Sequence, residues 1–258
     1  MNCLQIFSKS PRQWNASPLD PKKVSVWREV WRESKFGPLV AHDSYLINLA
    51  APDETVREKS IAAMVDEIER AEELGCDYLV THCGAHIGCG EEKGLETLAA
   101  SLKICLDQTP DLKVKIALEN TAAQGTCLGG PFSHLGQVLG ELGAERLAVC
   151  FDTCHAWAAG HDLKTDLQGV LDNFDSQIGL DNLAVVHLND AKGKLGGHLD
   201  RHEHIGEGEI GRDGMHAILT HPRLKDLPFI LETPEVETKI ADNVAAVRAL
   251  SALTSASL

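Results

Sequence analysis

A short apolar run that ends on an imidazole or a carboxylate recurs six times in this 258-residue chain. The runs are Leu39-Val40-Ala41-His42, Tyr78-Leu79-Val80-Thr81-His82, Lys115-Ile116-Ala117-Leu118-Glu119, Leu147-Ala148-Val149-Cys150-Phe151-Asp152, Leu183-Ala184-Val185-Val186-His187 and Pro228-Phe229-Ile230-Leu231-Glu232. Their last residues are separated by 40, 37, 33, 35 and 45 positions, room for one strand, one helix and two loops each time. Successive βα units of a parallel TIM barrel are the expected fold, with every terminal residue at the C-terminal end of its strand. Loops converge on that rim, so side chains from different strands can meet around one centre. The repetition predicts a polynuclear metal site.

The length suits a single barrel of roughly 250 residues, so residues 1–258 are read as one domain. No stretch approaches the roughly 20 consecutive apolar residues of a membrane span, and the start lacks a charged-then-apolar leader pattern. An intracellular, cytoplasmic and monomeric protein is expected. Cys76, Cys83, Cys105, Cys150 and Cys154 lie in or beside apolar segments, and no Cys-x-x-Cys pair occurs. Reduced, packed thiols follow from that placement.

Strands are predicted over 3–8, 38–42, 78–82, 114–119, 147–152, 183–188 and 228–232. Asp53 caps a helix carrying Val56, Ile61, Met64, Val65, Ile68 and Leu74 that stops at Gly75. Further helices are marked by Leu95, Leu98, Leu102 and Cys105; by Ser133 as an opening residue; by Leu167, Val170, Leu171, Phe174 and Ile178; and over about 236–253. Stretches 43–52, 83–94, 121–131, 153–165 and 189–214 are expected as long rim loops, which are usually functional. Seven strands emerge where closure of this barrel takes eight. An open seam would leave the edges of 3–8 and 228–232 unpaired.

Two loop motifs sharpen the metal reading. Asp152-Thr-Cys-His155 places a carboxylate and an imidazole three residues apart just past a strand, and Asp200-Arg-His202 puts a second pair on the 189–214 loop. Histidine and carboxylate without thiolate suit zinc, manganese or iron. Any single histidine after an apolar run is more often a hydrogen-bonded core residue. Nine such groups are hard to bury that way, because unpaired charges cost on the order of several kcal/mol each. Surface or capping roles are expected for His134, His161, His216 and His221, whereas His86, His198 and His204 lie near the predicted site.

A net charge of −14 argues against a nucleic-acid partner until two corrections are made. Three bound dications would bring −14 to −8, and residues 1–35 carry a local net charge of +4 through Lys9, Arg12, Lys22, Lys23, Arg28, Arg32 and Lys35. A positive face on an acidic protein is therefore possible.

Taken together, Phe7-Ser-Lys-Ser-Pro-Arg12-Gln-Trp14, His42-Asp-Ser-Tyr45-Leu-Ile-Asn48, His82-Cys-Gly-Ala-His86, Leu118-Glu119-Asn-Thr-Ala-Ala-Gln-Gly125, Asp152-Thr-Cys-His155-Ala-Trp-Ala-Ala-Gly160, His187-Leu-Asn-Asp190, Asp200-Arg-His202-Glu-His-Ile-Gly-Glu-Gly208 and Ile230-Leu-Glu232-Thr-Pro234 closely resemble endonuclease IV, the metal-dependent apurinic/apyrimidinic endonuclease. The motifs span nearly the whole chain in order. The resemblance implies a xylose-isomerase-like TIM barrel with three Zn2+ ions, Mn2+ or Fe2+ serving at some positions. His42, His82 and Glu119 would hold the first ion; Glu119, Asp152, His187 and Glu232 the second; and His155, Asp200 and His202 the third. Glu119 would bridge the first pair and orient the nucleophile. The implied substrate is double-stranded DNA with abasic or 3′-blocked sites, cut to a 3′-hydroxyl and a 5′-deoxyribose phosphate. Arg12 and Tyr45 match the residues the family inserts at the lesion; Trp14, Asn48, Lys192 and Arg201 are further candidates for DNA contacts.

Two departures from the family stand out. Its first strand, with a Gly-Ala-His segment, and the following helix are absent here, which a cropped chain or mis-called start codon would explain. Cys83 replaces the usual proline after its histidine. Two alternative functions are a sugar isomerase or epimerase on the same barrel and an inactive, truncated lesion-binding protein.

Overall fold

The computed structural model describes residues 2–253. Its elements run β1 Leu4–Phe7, α1 Pro21–Ser34, β2 Leu39–His42, α2 Glu54–Leu74, β3 Tyr78–His82, α3 Glu91–Gln108, β4 Lys115–Glu119, α4 Phe132–Leu142, β5 Leu147–Asp152, α5 Thr153–Ala159, α6 Leu167–Gln177, β6 Leu183–His187, β7 Asp190–Ala191, β8 His202–Glu203, α7 Gly211–Thr220, β9 Phe229–Ile230 and α8 Val236–Ser251. Seven strands form one parallel sheet in the order β1-β2-β3-β4-β5-β6-β9, while β7 and β8 pair separately and antiparallel. The sheet is a nearly closed barrel. No ladder joins β1 to β9 among the described residues; side chains cross that seam, with Cys3 Sγ donating to Phe229 O at 3.4 Å and Gln5 Nε2 to Glu232 Oε1 at 2.6 Å.

The period of two along each strand explains why the rim is rich in ligands. Val40, Val80, Ala117, Ala148, Cys150, Val185 and Ile230 pack together inside the barrel with Cys3. The residues two positions on from most of them are His42, His82, Glu119, Asp152, His187 and Glu232. Alternation puts each on the same inward face, one layer nearer the rim. Intervening residues such as Leu39, Leu79, Ile116, Leu118, Val149, Phe151 and Val186 point outward and join a larger core under the helices. These interior side chains form an apolar floor beneath the polar layer.

The seven predicted strands appear, β3 and β5 with the expected bounds and the other five trimmed at one or both ends. Asp53 caps α2 by accepting from Val56 N at 2.9 Å, and Gly75 ends it with a left-handed φ of 81°. Four expectations need correction. Ser133 does not open α4, which starts at Phe132 with Pro131 in the capping position. The predicted 153–165 loop begins with α5, capped by the Asp152 side chain accepting from His155 N. Helices α1 and α7 complete the set, and α1 carries its own signal in a capping Asp20 followed by Pro21. His134 and His216 are buried rather than superficial: His134 Nδ1 accepts from Gly129 N, and His216 Nδ1 is paired with Leu250 O at 2.8 Å.

Candidate metal centre

Nine side chains converge on the rim as three groups: His42, His82 and Glu119; Glu119, Asp152, His187 and Glu232; and His155, Asp200 and His202. Within each group the prospective ligand atoms lie within 4.8 Å of one another. Glu119 is fully buried between them. One of its oxygens, Oε2, is 3.3 Å from both His42 Nε2 and His82 Nε2; the other, Oε1, is 3.2 Å from His187 Nδ1 and 3.1 Å from His155 Nδ1. The carboxylate thus presents its two oxygens to different histidine sets, the arrangement a bridging ligand needs.

Hydrogen bonds behind the histidines select the nitrogen that faces the centre. His42 Nδ1 is paired with Asp43 O at 3.0 Å, His155 Nδ1 with Asn120 O at 3.0 Å and His202 Nδ1 with Glu232 O at 2.8 Å. A carbonyl can only accept, so each Nδ1 carries a proton and Nε2 is the nitrogen turned to the centre, where it can ligate once deprotonated. His187 is reversed: its Nε2 pairs with Gln5 Oε1 at 2.8 Å, and its Nδ1 faces Glu119 and Glu232. Among the described residues His202 Nε2 is buried without any hydrogen-bond partner, the nearest carboxylate oxygen being Asp200 Oδ1 at 3.5 Å. An orphaned buried acceptor is expensive unless something else fills its lone pair. Five imidazoles, which ligate in their neutral form, and four carboxylates fit cations of the zinc, manganese and iron class.

The charge pattern without ions supports the same reading. Burial opposes a charge on His42, but Glu119, Asp43 and Glu232 overcome it and carry the imidazole up to about 9. Burial also opposes ionisation of Glu232, and His187 wins, bringing the carboxyl down to about 2. Glu119 is held well below the usual carboxylate range against its burial by His187, His82 and His155. Protons on His42, His155 and His187 therefore take the place of external positive charge, and a dication bound here would displace them.

Residues outside the ligand set hold it in shape. Gln5 on β1 bridges His187 and Glu232 across the seam. Asn120 donates from Nδ2 to Asp152 O and accepts from Asp152 N, locking β4 to β5. Asn189 donates to Asp152 Oδ2 at 2.7 Å and accepts from Glu232 N at 2.8 Å. Sequence reasoning passed over all three. A glutamine inside β1 and an asparagine just beyond two ligand-bearing strands were the available signals.

The predicted DNA-contact residues fall into two areas. Arg12 is exposed on the loop after β1, and Tyr45 N and Ser44 Oγ donate to Pro11 O, so this loop sits beside Tyr45 at the rim. A buried ionic cluster fastens the loop to α2: Lys9 Nζ reaches Asp66 at 2.5 Å and Trp14 O at 3.3 Å, Ser8 donates to Glu67, and Arg70 donates to Ser8 O and Ser17 O. Trp14 lies under the Lys59 ammonium at 4.2 Å. Tyr45 keeps 55 % of its surface exposed while its ring meets Phe7 and His42 at 5.7 and 5.5 Å. Asn48 is turned inward, donating to Ala85 O and accepting from Ala50 N and Ala85 N, so its amide joins two rim loops. Lys192 and Arg201 are exposed on the β7–β8 hairpin, Lys192 within 3.5 Å of Glu203. The positive stretch at 1–35 is split: α1 runs back from the rim, and Lys35 lies toward the end of the barrel where Gly37 N donates to Asn2 O. His86 accepts from Gly88 N and Gly90 N, His198 pairs with Ala122 O, and His204 pairs with Asn243.

Comparison with known proteins gives this geometry a family. Residues 1–250 match the family described as xylose isomerase-like TIM barrel. A probable endonuclease 4 of Methanoculleus marisnigri is 45 % identical over 252 residues, covering 96 % of this chain and 89 % of the relative. The crystal structure of endonuclease IV from Thermus thermophilus superposes with a TM-score of 0.87 at 38 % identity, covering 97 % of this chain and 89 % of that one. A D-tagatose 3-epimerase-like protein also superposes, with a TM-score of 0.68 at 19 % identity over 96 % of this chain and 90 % of that one, which shows a shared fold alone. With this barrel, nine convergent candidate ligands and relatives along nearly its whole length, the chain belongs to the endonuclease IV family.

Proposed function

We propose that the protein cuts the phosphodiester 5′ to an abasic site in duplex DNA, leaving a 3′-hydroxyl and a 5′-deoxyribose phosphate, with three zinc ions held by the nine rim ligands. The observation that carries this reading is the position of Glu119, whose two oxygens face two histidine sets while a third group, His155, Asp200 and His202, lies alongside. Ions bound there would lower the pKa of a water and screen the negative charge of a phosphate. Glu119 then orients the attacking water, and the carbonyl-fixed imidazoles keep their lone pairs inward without reorganisation. The Tyr45 phenol, pushed up to about 12 by burial and by the neighbouring Glu232 and Glu119, stays protonated and adds no charge against phosphate.

Substrate choice follows from shape. A cavity of about 270 Å³ opens beside the centre, lined by Tyr45, Asn48, His82, Ala122, His155 and Asp200. It is small for a ligand pocket and suits a sugar phosphate that has lost its base. Extruding such a nucleotide costs least where no base is stacked or paired. Tyr45 lines this opening and Arg12 is exposed next to Pro11, whose carbonyl accepts from Tyr45 N, so the two loops would supply a ring and a guanidinium to fill the gap left in the duplex.

The direct test pairs metal analysis with nicking of a duplex containing one abasic site. Zinc-replete protein is expected to hold three ions per chain and to nick that strand alone. One ion after reconstitution in excess zinc would remove the trinuclear reading, and turnover of a ketose without nicking would move the protein to the sugar isomerases. Arg12→Ala and Tyr45→Ala should each lower discrimination between abasic and intact duplex by about tenfold, the worth of one lost stacking contact. Metal content should stay unchanged, so zinc loss in either variant would make the residue a support of the centre.

A further inference from the structure

Asp190 carries a buried carboxylate that touches no prospective ion. Its two oxygens accept from five backbone amides: Oδ1 from Ala191 N at 2.8 Å, Ile210 N at 3.1 Å and Gly211 N at 3.3 Å, and Oδ2 from Gly206 N at 3.1 Å, Gly208 N at 3.0 Å and Gly211 N at 3.2 Å. A carboxylate offers about four lone-pair positions, so this one is saturated. The segment 205–211 is wound around it. Gly206 and Gly211 take left-handed φ angles of 81° and 72°, and a Cβ on Gly208 would stand 2.5 Å from Ala191 O and 2.6 Å from Asp190 Oδ1.

The same residue begins the short hairpin that delivers two ligands. In the β7–β8 pair Asp190 lies opposite Glu203 and Ala191 opposite His202, and Lys192 N donates to Arg201 O at 2.9 Å. Asp190 therefore grips both ends of the excursion 191–211 at one point, and Asp200 and His202 lie inside it. From outside, Asn243 on α8 accepts from Ile205 N at 2.9 Å. Of the remaining seven candidate ligands, six lie on or within two residues of a barrel strand, and His155 lies on α5, whose first turn the Asp152 side chain caps.

We propose that Asp190 is a positioning residue for the metal centre: its carboxylate templates the 200–211 loop so that Asp200 and His202 face His155. The proposal rests on the three-group reading of the site and makes the third group selectively dependent on Asp190. Asp190→Asn is the same size, but its NH₂ would confront amide donors where an oxygen now accepts. Gly208→Ala attacks the same clamp from the other side by driving a methyl into the carboxylate and Ala191 O. Two readouts are combined on full-length protein: zinc bound per chain in equilibrium dialysis over a range of free zinc, and trypsin cleavage at Lys194 and Arg201, with thermal melting alongside.

Both variants should melt cooperatively and keep two tight ions. Their third ion should bind about 10- to 100-fold more weakly, the usual consequence of losing a residue that orients a ligand, and return at high zinc. Cleavage at Arg201 should rise at least about tenfold. Where only one variant melts cooperatively, it alone decides the comparison. Three ions held with wild-type affinity, or loss of all ions together with cooperative melting in both variants, would overturn the clamp. A wild-type protein holding fewer than three ions would instead overturn the reading beneath it, and the proposal with it.

Discussion

A Glu119→Gln protein is expected to fold, to bind abasic duplex within a few fold of the wild type, and to lose nicking by on the order of 10³-fold, about 4 kcal/mol of barrier. The amide keeps the size of the side chain but removes the charge that four histidines approach within 3.3 Å. It also replaces one oxygen by an NH₂, so one of the two histidine sets loses its shared partner whichever way the amide turns. Ala117 and Leu118 beneath it pack in different layers and are untouched by the change, which is why the fold should survive. Single-turnover nicking, duplex binding and zinc content together make the check. Nicking within a few fold of wild type at full zinc occupancy would take Glu119 out of the chemistry.

The convergence of the nine candidate ligands was legible because a parallel barrel converts a local pattern into a spatial one. Once Ala117 is assigned to the barrel interior, alternation alone carries Glu119 to the rim. The same alternation would turn Gln5 inward, but it was passed over, since nothing local says that β1 and β9 are bridged by side chains rather than a ladder. Asn120, Asn189 and Asp190 pair with groups far along the chain, so residue type marks them as polar residues after a strand without saying which partner each one meets. Helix α5 has only seven residues, too few to show a period. Helix α7 opens with Gly211, holds Gly214 against Ile210 and lacks a side-chain cap, so the usual start signals are missing. The burial of His134 and His216 was hidden for a related reason: each pairs with a main-chain atom on another segment.

Removing the metal should destabilise the protein sharply, and by an amount that depends on pH in a set direction. In the ion-free protein the His42 pKa is raised to about 9, so its contribution to stability is complete below the unfolded value of 6.5 and is lost as pH climbs through about 9. Asp43, pushed up to about 6 by burial despite the His42 imidazole and the Thr81 hydroxyl, changes in the same direction at lower pH. Glu232, drawn down to about 2 by His187, contributes above 4.5 and loses that contribution as pH falls toward 2. Ion-free protein should therefore be most stable at mildly acid pH and weaken steadily from neutrality to pH 9. Bound ions act oppositely, because they require neutral imidazoles and must first expel the proton from His42. At a free zinc level about a thousand times the dissociation constant, even one ion contributes about 4 kcal/mol, or roughly 8–16 °C in melting temperature for a chain of this size. The gap between zinc-loaded and chelated melting curves should thus exceed about 10 °C at pH 8 and narrow as pH falls to 6. Calorimetry in two buffers of different ionisation enthalpy should show protons released on zinc binding at pH 7. A gap that stays constant from pH 6 to 9, with no proton release, would mean that the rim histidines are neutral before any ion arrives, and that Glu119 and Glu232 are not compensated in the way the geometry of the site requires.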